Sequence, residues 1–373
     1  MKIIHLADLH IGKRVNNFSM IEDQKYILNQ ILQLIDSRDV DTVIIAGDIY
    51  DLSNPSAEAV GLFDSFLTQL NERKLRVLIT SGNHDSTERL SFGSNILSDS
   101  NIFISPKYEG EIEKVELDGI NFYLFPHIKP IDVRRYFPDR EIKSYHQALE
   151  ALVESLDIDY DKTNLAICHQ FLLGGEQSDS EELSVGGLDR VAWEIFKDFD
   201  YVALGHLHRP QKVGANHIRY SGSPLKYSFS EIKNKKSLPL ISLGDKKDLD
   251  IELLDLEPLR DMREIRGSFD QLMDPLNYLA QDQDDYVKIV LTDENEIVDV
   301  MGKLRTIYPN IMNLTYDNKR TKEEKKIKTD KTNMKKDPMD LFEKFYKLRN
   351  NVDLDQEKKE IMTEIINDIW SDI

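Results

Sequence analysis

The chain has 373 residues, a formal net charge of −19 and a single cysteine. That length exceeds one ordinary domain and fits two domains plus an appendage. No apolar run approaches the roughly 18 residues of a membrane helix and no charged-then-apolar leader opens the chain, so neither a span nor a secretory signal is expected, while a lone Cys fits a reducing, cytoplasmic setting. The acidic balance argues against nucleic acid being gripped over the whole surface, because phosphate contacts need concentrated Lys and Arg; a local basic groove stays open.

Taken in order, the chain repeats one design: an apolar, β-rich run that stops at residues able to bind a metal. Ile3-Ile4-His5-Leu6-Ala7 runs into Asp8-Leu9-His10. Met20 to Ile35 follows with Ile27, Leu28, Ile31, Leu32 and Ile35 at helical spacing. Val43 to Ala46 runs into Gly47-Asp48, and Pro55 leads a helix over Ala57 to Leu70. Val77-Leu78-Ile79 precedes Gly82-Asn83-His84-Asp85. Glu113 to Phe125 reads as a hairpin about Asp118-Gly119, and His146 to Leu156 as a helix. Leu165 to Cys168 ends at His169, and Tyr201 to Leu204 at Gly205-His206-Leu207-His208. Strands through Ile218 to Tyr220 and Leu238 to Leu243 complete an α/β layered domain over residues 1–255.

Residues 256–316 read as a small α+β unit. It has a strand at Ile265, a helix over Phe269 to Leu279, a strand at Tyr286 to Leu291, a helix at Ile297 to Leu304 and a strand at Ile311 to Thr315. Residues 317–337 are Lys-rich and nearly without apolar side chains, which predicts a solvated linker. Two helices, Pro338 to Arg349 and Leu354 to Trp370, end the chain. Phe342, Phe345 and Tyr346 on the first, and Ile365 and Ile369 on the second, are large apolar groups that neither helix can bury alone, so a partner surface is expected over residues 338–373.

Strand ends in an open α/β fold point to one edge, so the clusters describe one site. Asp8, His10, Asp48, Asn83, His169, His206 and His208 offer seven oxygen or nitrogen donors and no thiolate. A single zinc site uses three or four; seven suit two cations bridged by a shared carboxylate, which can clamp a phosphate ester and activate water. The expected reaction is phosphoester hydrolysis.

Asp-x-His, Gly-Asp, Gly-Asn-His-Asp, a later His and Gly-His-x-His, in this order over about residues 1–225, resemble the calcineurin-like metallophosphoesterases. That resemblance implies a four-layer α/β/β/α sandwich. It also implies a first metal held by Asp8, His10, Asp48 and His208, and a second held by Asp48, Asn83, His169 and His206. His84 would then be a catalytic residue serving the leaving oxygen or the transition state, with Asp85 orienting it. The opening Met1 to Gly12, Ala46-Gly47-Asp48-Ile49-Tyr50-Asp51, Tyr220 to Leu225 and Phe229-Ser230-Glu231 are similar to the SbcD family, nuclease subunits of bacterial SbcC–SbcD DNA-repair complexes. The family implies two Mn²⁺ (or Mg²⁺), an SbcC-type coiled-coil ATPase as partner, and DNA ends, single strands and hairpins as substrates. It also implies a homodimer within a heterotetramer, and a capping unit that places DNA. Archaeal and eukaryotic relatives commonly carry a His where this chain has Asp51, a departure that leaves the role of that His open here.

The remaining histidines read differently. His5 is expected as a hydrogen-bonded core residue, His127 as a residue at the site edge with a substrate contact as the alternative, and His146 and His217 as surface. Cys168 precedes a ligand, and strand alternation turns it away as a small buried hydrophobe. Two other function classes stay in view: a stand-alone phosphatase or cyclic-nucleotide phosphodiesterase, which would not need the residues after 255, and a non-catalytic scaffold, against which the full ligand set argues.

Overall fold

β-branched runs with two buried faces build the sheets of this computed structural model. It describes residues 1–181, 190–244, 248–319, 321, 339, 342–343, 346–347 and 354–370; the side chains of 357, 360, 364 and 367–370 lie outside that description. In the first sheet β1 (Lys2–Leu6) pairs in parallel with β4 (Thr42–Ala46), then come β5 (Arg76–Thr80) and β6 (Ile102–Ser105). β2 (Arg14–Val15) and β3 (Phe18–Ser19) form a small hairpin after β1. The second sheet takes β7 (Glu113–Leu117), β8 (Ile120–Phe125), β9 (Thr163–His169), β10 (Tyr201–Gly205), β11 (Gln211–Val213) and β12 (Ala215–Tyr220), in the order β11-β12-β10-β9-β8-β7. β13 (Ser237–Leu243) returns antiparallel to β1, and β14 (Leu249–Asp255) closes that edge.

Alternation along each strand sorts the core into three slabs. Ile44, Ala46 and Leu78 of the first sheet meet Leu165, Ile167 and Ala203 of the second, which joins the sheets face to face. Val43, Ile45 and Val77 turn outward onto α1 (Ile21–Arg38) and α2 (Ala57–Glu72). On the other outer face Ala166, Cys168 and Val202 pack with Ala148, Leu149 and Leu152. Cys168 is fully buried there, and its burial pushes the thiol well up. The result is the expected α/β/β/α order. Two short helices, α3 (Thr87–Leu90) and α4 (Ser94–Leu97), precede β6; α5 (Pro130–Arg134) and α6 (Tyr145–Glu154) cover the second sheet. No helix among the described residues is long and apolar enough to cross a membrane.

After β14 comes a three-stranded sheet of β15 (Met262–Gly267), β16 (Tyr286–Leu291) and β17 (Ile311–Tyr316), with β16 central. The single helix expected over Phe269 to Leu279 is instead two, α7 (Phe269–Met273) and α8 (Pro275–Tyr278). Pro275 has no N–H to continue the first, and the Asp274 side chain caps the second by accepting from Leu276 N–H. The next helix, α9, spans Val300–Arg305. Two compact units divide the chain. The first holds Met1–Ile265, Met273–Ile289 and Met301–Leu314; within it Tyr286 Oη and Arg260 donate to the buried Asp23 of α1 at 2.7 and 3.0 Å.

The second unit holds Arg266–Leu272, Val290–Val300 and Thr315–Ile373. There Phe269 N–H donates to Asp293 at 2.8 Å, and Lys359 pairs with Glu343 at 2.8 Å. The last helix, α10, spans Gln356–Trp370. Phe342 and Tyr346 are half-buried with ring centroids 6.3 Å apart, and Ile365 is exposed. Phe345, the Ile369 side chain and most of 317–337 lie outside the described residues.

Candidate metal centre

The parallel register of β1 and β4 brings their following loops side by side. Asp8 N–H donates to Gly47 O at 3.1 Å, His10 N–H to Asp48 O at 3.0 Å, and Ile11 N–H to Ile49 O at 2.8 Å. Gln24, buried in the first turn of α1, grips the same loop: its side chain donates to His10 O at 2.7 Å and accepts from Gly12 N–H at 2.9 Å. Asp8, His10, Asp48 and His206 all have positive φ, at 53°, 43°, 52° and 104°. Each such non-glycine residue costs about 1–3 kcal/mol, a cost that the surrounding hydrogen bonds sustain.

The loop after β5 is fastened by Asp85. Its Oδ2 accepts from Gly82 N–H at 2.9 Å and Ile49 N–H at 3.2 Å, and its Oδ1 from Tyr50 N–H at 3.1 Å. The hydrogen bonds that Asp85 makes here are to backbone amides and not to the His84 ring. His84 Nδ1 donates instead to Asp51 O at 2.8 Å, and His84 N–H to Asp48 Oδ1 at 2.9 Å. Gly82 is the close-approach residue here, because a Cβ would lie 2.0 Å from Asp48 Oδ1.

The second sheet supplies the other donors across the sandwich. His169 Nδ1 donates to Ala46 O at 2.9 Å, and His206 N–H to Asp8 Oδ1 at 2.8 Å. These bonds turn side chains of both sheets toward one point. Asp48 Oδ2 lies 3.5 Å from His10 Nε2, 3.4 Å from His169 Nε2 and 3.9 Å from His84 Nε2. Asn83 Oδ1 is 3.1 Å from His169 Nε2 and 3.2 Å from His206 Nδ1, and His10 Nε2 is 3.0 Å from His208 Nε2. All seven donors expected from the sequence meet here, and Asp8-His10-His208, Asp8-Asp48-His169 and His10-Asp48-His84 each cluster tightly enough to hold an ion.

The electrostatics carry the signature of a cation site. Asp8 Oδ2 is buried without a hydrogen-bond partner, and burial pushes that carboxyl well above its ordinary range. Burial also opposes charge on Asp48, yet the imidazoles of His169, His10 and His84 hold its carboxyl well below the usual range. Burial would lower His169; the Asp48 and Asp8 carboxylates raise it to about 9. A buried carboxylate oxygen without a hydrogen-bond partner, set among carboxylate and imidazole groups, fits hard divalent cations.

Asp51 is a contributor that the motif reading did not place. Its Oδ1 is 3.5 Å from His10 Nδ1 and 2.7 Å from Lys13 Nζ, while its carbonyl holds His84. Burial opposes its charge, but His10 and Lys13 hold it down to about 2. His127 stands beside His169 with ring centroids 6.3 Å apart, kept neutral by burial that pushes it down to about 3. His5 is fully buried with Nδ1 3.0 Å from Tyr201 Oη. His146 and His217, expected on the surface, are half-buried: the Ala192 N–H donates to His146 Nδ1 at 3.4 Å, and His217 lies on β12 with its Nε2 enclosed.

Residues 1–210 match the calcineurin-like phosphoesterase family, and residues 258–350 match the family described as the type 5 capsule protein repressor C-terminal domain. A curated relative, the SbcD subunit of the SbcCD nuclease of Staphylococcus epidermidis (strain ATCC 12228 / FDA PCI 1200), is 37% identical over 363 residues and covers 95% of each chain. The chain belongs to the SbcD family. It is a calcineurin-like phosphoester hydrolase whose fold implies divalent-metal binding. Among solved structures, a dimetal phosphatase from Danio rerio is 13% identical over 69% of this chain and 98% of its own, with a TM-score of 0.39. GAP50 of Plasmodium, titled the anchor in the inner membrane complex, is 11% identical over 84% and 96%, with a TM-score of 0.40. Likenesses at these scores bear on neither chemistry nor substrate.

Proposed function

We propose that this chain is the nuclease subunit of an SbcC–SbcD complex, cutting DNA phosphodiester bonds with two Mn²⁺ ions. Mg²⁺ is the other hard cation that such a donor set admits. What supports the proposal is that His10 of the first sheet's edge and His169 of the second lie within 3.5 Å of Asp48 Oδ2, with Asp8, Asn83, His206 and His208 clustered around them, in a chain aligned over 95% of its length with an SbcCD nuclease subunit. Asp8, His10, Asp48 and His208 would hold the first ion, and Asp48, Asn83, His169 and His206 the second. When bound, the pair supplies Lewis-acid activation of water and neutralisation of charge on the phosphodiester.

The chain's own residues do the rest. Asp48 Oδ1 fixes the His84 backbone, and Asp51 O anchors the ring through Nδ1, leaving Nε2 toward the cleft. From there His84 would protonate the departing 3′ or 5′ oxygen or stabilise its developing charge. Gln24 and Asp85 hold the loops that aim the ligands. Residues 256–316 would place duplex DNA, and residues 338–373, with Phe342, Phe345, Tyr346, Ile365 and Ile369, would dock on the SbcC-type ATPase in a cytoplasmic heterotetramer containing two copies of this chain. The ATPase cycle would admit double-stranded ends, whereas single strands and hairpins would be nicked directly.

The test is an assay of purified protein with Mn²⁺ on single-stranded DNA, a DNA hairpin, cyclic nucleotides and a phosphomonoester. Cleavage of both DNA substrates is expected. Activity confined to the last two would overturn the nuclease reading.

A further inference from the structure

Behind His208 lies a polar train, buried apart from the half-buried Ser180, that the ligand pattern does not require. Its Nδ1 is 2.7 Å from Ser180 Oγ, and that hydroxyl donates to Glu231 Oε1 at 2.8 Å. Glu231 is fully buried, and its Oε2 accepts from Lys236 Nζ at 2.6 Å. The same ammonium donates to His208 O at 2.7 Å and to Ser223 Oγ at 2.8 Å. Glu181 Oε1 accepts from His208 N–H at 2.7 Å, so His208 is held by backbone N–H, backbone carbonyl and ring together.

The proton arrangement follows from counting donors. A serine has one O–H; with it given to the Glu231 carboxylate, Ser180 Oγ accepts from the His208 imidazole and from the Ser178 hydroxyl, 2.7 Å away. His208 must then carry its hydrogen on Nδ1 and present a bare Nε2 toward His10 and Asp8. An ion pair this deeply buried is a poor source of stability, since desolvating both charges offsets most of their attraction. Orienting a ligand is a use that its position explains. His169 Nδ1, by contrast, donates to the neutral carbonyl of Ala46 at 2.9 Å, with the Asp8 carboxylate farther off at 3.8 Å.

We propose that Ser180 and Glu231 are positioning residues for His208, a hydroxyl relay from the Glu231–Lys236 pair that fixes the ring's tautomer and strengthens its grip on the ion shared with Asp8 and His10. The proposal rests on the two-cation reading above. It also makes the two ion sites unequal, with the carboxylate-backed ligand on one side and the carbonyl-backed ligand on the other.

Mn²⁺ binding to the full chain, followed by calorimetry and by electron paramagnetic resonance of free Mn²⁺, tests it with Ser180→Ala and Glu231→Gln. In each variant one ion should bind roughly 10–100-fold more weakly while the other keeps its wild-type affinity, the usual size of a lost ligand-backing hydrogen bond. Hydrolysis of bis-p-nitrophenyl phosphate by Ser180→Ala should then need more Mn²⁺ but reach nearly the wild-type rate at saturation. Because Ser180→Ala removes one oxygen, it keeps the test alive if Glu231→Gln does not fold. Two wild-type affinities in Ser180→Ala, or a lower saturated rate with unchanged Mn²⁺ dependence, would overturn the relay. A wild-type chain that binds no Mn²⁺ would end the two-cation reading itself, and the relay with it.

Discussion

Asp85→Asn separates two roles for the carboxylate in the Gly-Asn-His-Asp loop. In the structure Asp85 joins the loop after β5 to the loop after β4, through Gly82 on one side and Ile49 and Tyr50 on the other. An Asn has one carbonyl oxygen; placed at Oδ2 it keeps Gly82 and Ile49, and its amide then faces Tyr50 N–H, donor against donor. A charge-assisted bond lost this way is worth about 1.5–3 kcal/mol. Burial and the nearby Asp48 charge push the Asp85 carboxyl up to about 6, so removing that charge offsets part of the loss. The net destabilisation expected is about 1–3 kcal/mol, a fall in Tm of several degrees for a domain this size. Mn²⁺ affinity should fall as well, because Asp48 and Asn83 sit on the two loops being unfastened. Urea and thermal denaturation of metal-free protein, with Mn²⁺ calorimetry alongside, read both effects. Unchanged stability and unchanged Mn²⁺ binding with a loss in rate alone would refute the fastening role and return Asp85 to His84.

Other expectations follow from the same geometry. Asp48→Asn can keep the bond to His84 N–H but not the anionic bridge, so it should fold, lose both ions by elemental analysis and lose essentially all hydrolysis; two tightly held ions would show that Asp48 does not bridge. His84→Gln should retain both ions and DNA binding while turnover falls about 10²–10⁴-fold, and near-normal turnover would move the acid elsewhere, with His127 next in position. Deleting residues 338–373 should abolish co-purification with the SbcC-type ATPase and ATP-stimulated duplex digestion while sparing Mn²⁺-dependent nicking of single strands. Retained co-purification would place the interface on another part of the chain.

The grouping of the candidate donors was legible because each stands where an apolar strand stops, and the parallel pairing of β1 with β4 and β9 with β10 carries those strand ends to one edge. The hairpin at Asp118-Gly119 was legible because its turn needs positive φ at both residues, 50° and 80° here. What backs the ligands was not. Gln24 lies on a helix whose apolar spacing says nothing of a buried amide, and Ser180 and Glu231 reach His208 from 28 and 23 residues away. The Asp85 contacts were not legible either, since a carboxylate next to a histidine can serve the ring or the amides of a neighbouring loop, and only the fold brings Ile49 and Tyr50 within reach. β14 escaped notice because its leucines and acids share an exposed edge strand with no strong apolar run.

The central claim is that seven donors of this chain hold two cations bridged by Asp48. Anomalous diffraction from crystals grown with Mn²⁺ tests it most directly. Two peaks about 3.5–4 Å apart are expected, both in contact with an Asp48 oxygen, one also with Asp8, His10 and His208 and the other with Asn83, His169 and His206. A single peak at saturating Mn²⁺, or two peaks that do not share Asp48, would contradict it.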